Sequence, residues 1–205
     1  MKIRLKIMML FSLLTISTCF SQNQSGIIFG GGLGFETIAQ NSQHKDMKNG
    51  ELFDSSYNYN FQLGYRFRFG DFPNAKLFFD IDPLIKLQTL KNKTFYLNTN
   101  EEYASVMVES HDINFQLAVS PTINYKLFKT LYIGIGIEPT WNIVTEGKAF
   151  DFPVVGRIGY SFKGKVELAL TYRQGLVNTV NKNLYKKGLL SDLNIGFFIP
   201  LHTKK

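Results

Sequence analysis

Tyr57-Asn-Tyr-Asn-Phe-Gln-Leu-Gly-Tyr-Arg-Phe-Arg-Phe69 alternates without a lapse. Tyr57, Tyr59, Phe61, Leu63, Tyr65, Phe67 and Phe69 fall on one parity; Asn58, Asn60, Gln62, Gly64, Arg66 and Arg68 fall on the other. Successive side chains of a strand point to opposite faces. The stretch therefore reads as a strand with one bulky apolar face and one polar face.

The same period returns along the chain. It runs through Leu77–Gln88, Ile113–Tyr125, Leu131–Ile143, Val154–Phe162, Val166–Leu176 and Leu193–Leu201. A weaker first copy spans Ile27 to Glu36, with Gly30, Gly32 and Gly34 on the polar side. Eight strands are predicted. Their connections alternate: long ones over 40–54, 91–111 and 178–190, a medium one over 145–151, short ones over 70–74, 128–130 and 163–164. Short turns on one side and longer loops on the other are the habit of outer-membrane barrels, which would put both chain ends in the periplasm.

The side-chain volumes decide which face looks out. An eight-stranded barrel has an interior just wide enough for side chains. The Phe, Tyr and Leu of every strand cannot all enter it, whereas Gly, Ser, Ala and Asn can. The bulky face is thus expected to meet lipid, where every backbone polar group must be paired and the sheet must close. A soluble secreted barrel would reverse this arrangement. The inward parity also carries Glu36, Asp80, Asp82, Glu138 and Glu167 against Arg66, Arg68, Lys86, Arg157 and Arg173. Buried charges persist when paired, so a lumenal salt-bridge network is predicted. Aromatics gather near strand ends: Phe67, Phe69, Phe72, Tyr125, Phe128, Tyr160 and Phe162 at one side, Tyr57, Tyr59 and Trp141 at the other. Interfacial girdles are expected there.

Length and composition agree with this reading. The chain has 205 residues, which one barrel can use in full, and 15% aromatics against 19% charged residues. The first 21 residues read as a secretory signal: basic Lys2, Arg4 and Lys6, an apolar run from Ile7 to Ile16, then small residues ending at Ser21. That run is shorter than the ~20 residues of a membrane-spanning helix. Residues 22–205 would then form the barrel domain. The signal takes three basic residues and no acid with it, so +4 of the formal +7 remains. Such a mild, scattered charge argues against a nucleic-acid partner. Cys19 is the single cysteine, which excludes an intrachain disulfide. Ile16-Ser-Thr-Cys19 has the outline of a lipidation site, with Thr18 larger than that motif prefers.

These strands and loops resemble the small eight-stranded outer-membrane barrels of the OmpA/OmpX-like superfamily. The signal ending Ser21-Gln22 and the short barrel are similar to porin-like proteins of Bacteroidota. Leu193-Asn-Ile-Gly-Phe-Phe-Ile199 looks like the last-strand assembly signal, though Pro200 to Lys205 follow it where the family ends on an aromatic. The resemblance covers about residues 26–202. It implies integration by an outer-membrane assembly machinery, contact with lipid and lipopolysaccharide, and a monomer. Its members range from anchors to adhesins and lipid-modifying enzymes, so the fold leaves the role open.

Candidate chemistry is sparse. Gly30-Gly-Gly-Leu-Gly34 lacks the spacing and the following helix of a nucleotide loop. His44, His111 and His202 have no metal-ligand spacing. Ser110-His111-Asp112 holds hydrolase letters, but adjacent strand residues point to opposite faces and cannot form a relay by themselves. No cofactor and no catalysis are expected. Pro83, Pro121 and Pro139 fall mid-strand on three consecutive strands. Proline removes a ladder hydrogen bond, so the three define a candidate lateral gate for an apolar ligand; the other use of a strand proline is a bulge that curves the wall. The expected role is a non-enzymatic envelope or surface-interaction barrel with a filled, charged lumen. A narrow porin, an apolar-ligand carrier opening near Pro83, Pro121 and Pro139, and a lipid-modifying enzyme are the alternatives.

Overall fold

A computed structural model describes residues 22–36, 51–70, 75–97, 105–143, 150–162, 165–177 and 189–203. The predicted signal segment, Cys19, His44 and Phe72 lie outside them. Ten strand segments follow one another: β1 Gln22–Glu36, β2 Glu51–Phe69, β3 Leu77–Leu97, β4 Ser105–Lys126, β5 Leu131–Ile137, β6 Thr140–Asn142, β7 Phe150–Asp151, β8 Val154–Phe162, β9 Val166–Gln174 and β10 Leu190–Thr203. β5 with β6, and β7 with β8, each make one wall strand interrupted at a proline. The wall therefore has eight strands.

Each wall strand pairs antiparallel with its neighbour in sequence, and β10 pairs back onto β1 over Gln24↔Thr203 to Glu36↔Leu190. The ring is closed, so the barrel wall has no free edge and its ladder groups are satisfied within it except beside the strand prolines. The glycines of β1 make the closing seam tight. A Cβ at Gly26 would fall 2.0 Å from the Ile199 carbonyl oxygen, and one at Gly32 would fall 2.1 Å from that of Leu193. The sequence pattern assigns these glycines to interior space; close backbone approach is the stronger requirement. At the other end of the next strand, Gly70 takes φ +120°, a left-handed conformation that ends β2 in its short turn.

The bulky face looks outward. Phe61, Leu117 and Ile135 are 49%, 38% and 64% exposed, whereas Arg66 and Glu138 are 2% and 0% exposed. The apolar run from Leu77 to Leu87, at about 3.3 Å per residue and a tilt of about 40°, spans ~25 Å, the height of a lipid-facing band. Phe69 departs from the rest of its face and is buried at the turn.

Strand boundaries differ from expectation in three places. β3 runs to Leu97 and β4 begins at Ser105, with pairs such as Lys91↔His111 and Lys93↔Glu109 inside the stretch read as an outer loop. β2 likewise begins at Glu51. Alternation of apolar residues is needed only at the depth of hydrocarbon, while backbone pairing continues beyond it on polar residues. Leu131–Ile143, read as one strand, breaks at Glu138-Pro139, and Phe150-Asp151, read as loop, pairs with β6.

Candidate functional site

Alternate positions of each strand converge on the lumen, odd-numbered on β7, β8 and β9 and even-numbered on the others. From the short-turn end, β3 sends in Phe78, Asp80, Asp82, Leu84, Lys86 and Gln88, all buried. They define successive layers, and each layer is completed by residues of the same height on other strands.

The first layer is an aromatic seal. Phe78 and Tyr132 meet edge to face at 5.2 Å, and the Arg68 guanidinium lies over the Phe78, Phe198 and Tyr132 rings at 4.4, 5.3 and 5.7 Å. Tyr132 fits because its cross-strand partner is Gly159: a Cβ there would fall 2.1 Å from the tyrosine Cζ.

The second layer is an ion cluster of three arginines and three carboxylates. Arg66 grips Asp82 through two bonds of 2.8 Å. Arg68 holds Asp80 at 2.7 and 3.0 Å and Glu167 at 2.5 and 2.9 Å. Arg157 donates to Asp82 at 2.8 Å and to Thr122 at 3.3 Å. Tyr132 donates its hydroxyl to Glu167 at 3.2 Å. Bidentate arginine–carboxylate pairing is the geometry that best offsets the desolvation of both ions.

A second ion cluster lies above. Glu138 accepts from Lys86 and from Arg173, each at 2.7 Å. Arg173 also donates to Asp192 at 3.0 Å and to Gln62 at 2.5 Å. Carboxamides cap the column: Gln116 donates to Gln88 at 2.8 Å and to Asn142 at 2.6 Å, and Asn194 donates to Asn60. The two ion clusters together hold five cations and five anions, all buried, so the clusters are charge-matched; the buried Asp151 carboxylate lies outside them and accepts from the Phe152, Leu176 and Val177 N–H groups.

Nine of the ten expected lumenal charges are thus brought together in two clusters; the Glu36 side chain lies outside the described residues. Phe198, on the inward parity with Asn194, joins them as the alternation of the last strand requires, whereas Asp192 and Tyr132 complete the clusters and were not anticipated. Asp192 shares that same parity, so period alone could have found it. The void among these side chains, beside Arg66, Arg157 and Leu84, is about 10 Å³. That is room for one water at most.

The three prolines occupy a thinned part of the wall. Ile81↔Pro121 and Pro83↔Val119 are neighbouring pairs of β3 and β4. The β2–β3 ladder lapses between Gly64↔Leu84 and Phe67↔Ile81, opposite Pro83, with no change of register. The ladder of β4 with β5 and β6 lapses between Thr122↔Gly136 and Ala118↔Thr140, where Pro121 and Pro139 stand on opposite sides. One bond crosses that lapse, from Val119 N–H to the Pro139 carbonyl at 3.1 Å. Pro153, absent from the sequence reading, flanks it: the Glu138 N–H donates to the Pro153 carbonyl at 2.8 Å, and the Thr140 hydroxyl donates to the Glu138 carbonyl at 2.8 Å. Behind Pro139 stands the Glu138 carboxylate with its two cations, and the adjacent lumen is filled.

Ser110, His111 and Asp112 are consecutive on β4, with His111 exposed and opposite Lys91. Their backbone alternation keeps residue 111 on the other face from 110 and 112. Among the described residues no group of His, Cys, Asp and Glu has the geometry to hold a metal ion.

No protein-family model matches the chain. No curated protein sequence matches it significantly. Solved structures similar to it include the outer membrane protein OprG from Pseudomonas aeruginosa, at a TM-score of 0.41 and 10% identity over 87% of this chain and 94% of that one. The NanC porin follows at 0.34 and 8%, over 84% and 98%, and the COG4313 outer membrane channel from Pseudomonas putida F1 at 0.33 and 9%, over 88% and 96%. At such identity these are likenesses of shape, and the closed barrel described above stands on its own strand pairing.

Proposed function

We propose that the chain is an integral outer-membrane β-barrel protein with a closed lumen, serving the envelope as a structural or surface-interaction element without catalysis. One observation carries this reading: a barrel with bulky apolar side chains outside and a packed column of paired charges inside. Moving that surface into water would expose apolar area far beyond the few hundred Å² a soluble monomer tolerates. In hydrocarbon the closed ring pairs its backbone groups within the wall, apart from the short lapses at the prolines. The filled column supports a non-conducting resting state, since a water-sized void passes no hydrated ion.

Reconstitution tests it. The folded protein is expected to fractionate with membranes and resist extraction at high pH. In planar bilayers it is expected to give no steady conductance. A stable ohmic current would favour the porin reading, and a soluble folded barrel would remove the membrane altogether.

The ladder lapses at Pro83, Pro121 and Pro139 support a second reading, a carrier that admits an apolar ligand sideways. It requires the Glu138 cluster to move, because that cluster fills the space the ligand would enter. Spin-labelled fatty acid that becomes immobilised on the protein, and is released by Leu84→Trp, would favour it.

A further inference from the structure

We propose that β6 and β7, residues 140–143 with 150–152, form a lid at the long-loop end of the lumen, hinged at Pro139 and Pro153 and latched by the Asp151 carboxylate. The inference stands on strand pairing and side-chain bonds, so it is independent of what surrounds the barrel.

Both strands of the pair break at one level. β5 stops at Ile137 and β6 resumes at Thr140, beyond Glu138-Pro139; β7 stops at Asp151 and β8 begins at Val154, beyond Phe152-Pro153. The register is the same on either side of the break, Ile137↔Val154 below and Thr140↔Asp151 above. Pro153 has no N–H to give the Glu138 carbonyl, and the Thr140 hydroxyl takes that carbonyl instead, at 2.8 Å. The Glu138 N–H still donates to the Pro153 carbonyl at 2.8 Å and ties the two strands at the hinge.

The two sides of the lid are held differently. Toward β4 it keeps a ladder, Ala118↔Thr140 to Gln116↔Asn142, and the Ile143 N–H donates to the Phe115 carbonyl at 2.9 Å. Toward β9 the wall ladder ends at Val154↔Gln174, next to Pro153. There a side chain takes over from the backbone. Asp151 Oδ1 accepts the N–H of Leu176 at 3.2 Å, of Val177 at 2.9 Å and of Phe152 at 2.7 Å. Gly175, on the inward parity of Thr171 and Arg173, makes room for this carboxylate. A Cβ at Gly175 would fall 2.8 Å from Asp151 Oδ2 and 2.6 Å from the Leu190 carbonyl oxygen.

Position gives the lid its role. The Gly175 N–H donates to the Leu190 carbonyl at 2.9 Å, just beyond the Arg173↔Asp192 pair of β9 and β10. Asp151 therefore roofs the Arg173–Asp192 end of the upper ion cluster, and lifting β6 and β7 uncovers that end toward the long loops. Elsewhere in the wall an opening must break a run of ladder bonds. Here one charged acceptor fastens a whole side, so the loss of one group releases it.

Amide exchange resolved by residue, on the folded protein in phosphatidylcholine vesicles, tests the lid. The deciding amide is that of Ile143, which bonds to β4 on the side away from the latch. Asp151→Ala is expected to raise exchange at least about tenfold at Leu176 and Val177, which lose their acceptor, and about three- to tenfold at Ile143. Leu170 and Phe79, in the paired wall, are expected to keep the parent's protection. Trp141, the single tryptophan, rides on β6. Its quenching by acrylamide is expected to rise about twofold as the lid opens. Asp151→Asn keeps a neutral oxygen in place and is expected to give a smaller rise at the same three amides. It carries the comparison if Asp151→Ala loses its heat-modifiable gel mobility. Exchange that rises at Leu176 and Val177 while Ile143 and Trp141 keep the parent's values overturns the lid and leaves Asp151 as a cap on the end of β9. A rise shared equally by Leu170 and Phe79 overturns it too, as a general loosening of the barrel.

Discussion

Arg68 reaches across the lumen to Glu167 through parallel bonds of 2.5 and 2.9 Å, joining β2 to β9 over 99 positions of sequence. The same guanidinium grips Asp80 on the adjacent strand. One cation thus bridges two carboxylates from opposite walls, and both walls are held at one spacing.

Removing that cation leaves Asp80 and Glu167 buried with only longer ion contacts, to Arg66 at 3.5 and 3.7 Å and from Asp80 to Arg157 at 3.6 Å. Arg68→Met, which keeps the stem, is expected to destabilise the barrel by about 3–5 kcal/mol. Glu167→Gln keeps the shape and one set of hydrogen bonds, so it is expected to cost about half as much, ~1.5–3 kcal/mol. Urea unfolding in lipid vesicles, followed by the gel-mobility difference between folded and unfolded chains, checks both. A change below about 1 kcal/mol for Arg68→Met would mean that water, and not Arg68, solvates these acids.

The orientation of the wall is open to chemistry. Phe61→Cys, Leu117→Cys and Ile135→Cys, in a Cys19→Ser background, are expected to react with a maleimide only when it partitions into lipid. Gln62→Cys, one position along β2 from Phe61 and buried in the lumen, is expected to react with neither a lipid-soluble nor a water-soluble maleimide until the chain is unfolded. Fast labelling of Ile135→Cys by the water-soluble reagent in vesicles would reverse inside and outside.

The closing seam gives a sharper contrast. A Cβ at Gly32 would meet the Leu193 carbonyl oxygen at 2.1 Å, whereas a Cβ at Gly156 meets nothing within 4 Å. Gly32→Ala is therefore expected to cost about 1–3 kcal/mol by overpacking backbone against backbone. Gly156→Ala is expected to stay within ~0.5 kcal/mol of the parent. Equal effects at the two sites would mean that backbone approach at the seam does not set the cost.

Phe61 and Arg66 show why the fold was legible: parity along one strand assigns both, and the volume of eight apolar faces then forces the sign. The same parity placed Asp80, Asp82, Glu138 and Glu167 in the lumen. What parity cannot supply is which charge meets which. Arg68 lies beside Asp80 through the neighbouring register, but its bond to Glu167 depends on the diameter of the closed ring. Tyr132 was hidden for a related reason. Its space is provided by Gly159 on the next strand, a pairing that no single-strand pattern contains. Lys93 and Glu109 pair beyond the apolar band, where hydrophobic period falls silent although the ladder continues.

The wall at Pro121 and Pro139 is the place where the barrel should open first. Two strands each lack a donor along the same seam, and the Val119 N–H to Pro139 carbonyl bond of 3.1 Å crosses it alone between the flanking pairs. Glu138 precedes Pro139, and its carboxylate is tied to Lys86 on β3 and Arg173 on β9 at 2.7 Å each. Those ties hold the seam against the lumen from inside. Glu138→Gln weakens both charge-assisted bonds, by roughly 1.5–3 kcal/mol. Amide exchange by mass spectrometry is then expected to rise at least about tenfold at Val119 and residue 138, following the lost free energy. The amides of Phe79 and Ile85 are expected to keep the parent's protection, because their ladders do not pass through the seam. Restoring the missing donors with Pro121→Val and Pro139→Val is expected to slow exchange at Val119 in the Glu138→Gln background. Exchange that rises uniformly around the ring would show global loosening and would leave the prolines as bends in a continuous wall. Full protection at Val119 in every variant would exclude a sideways opening there.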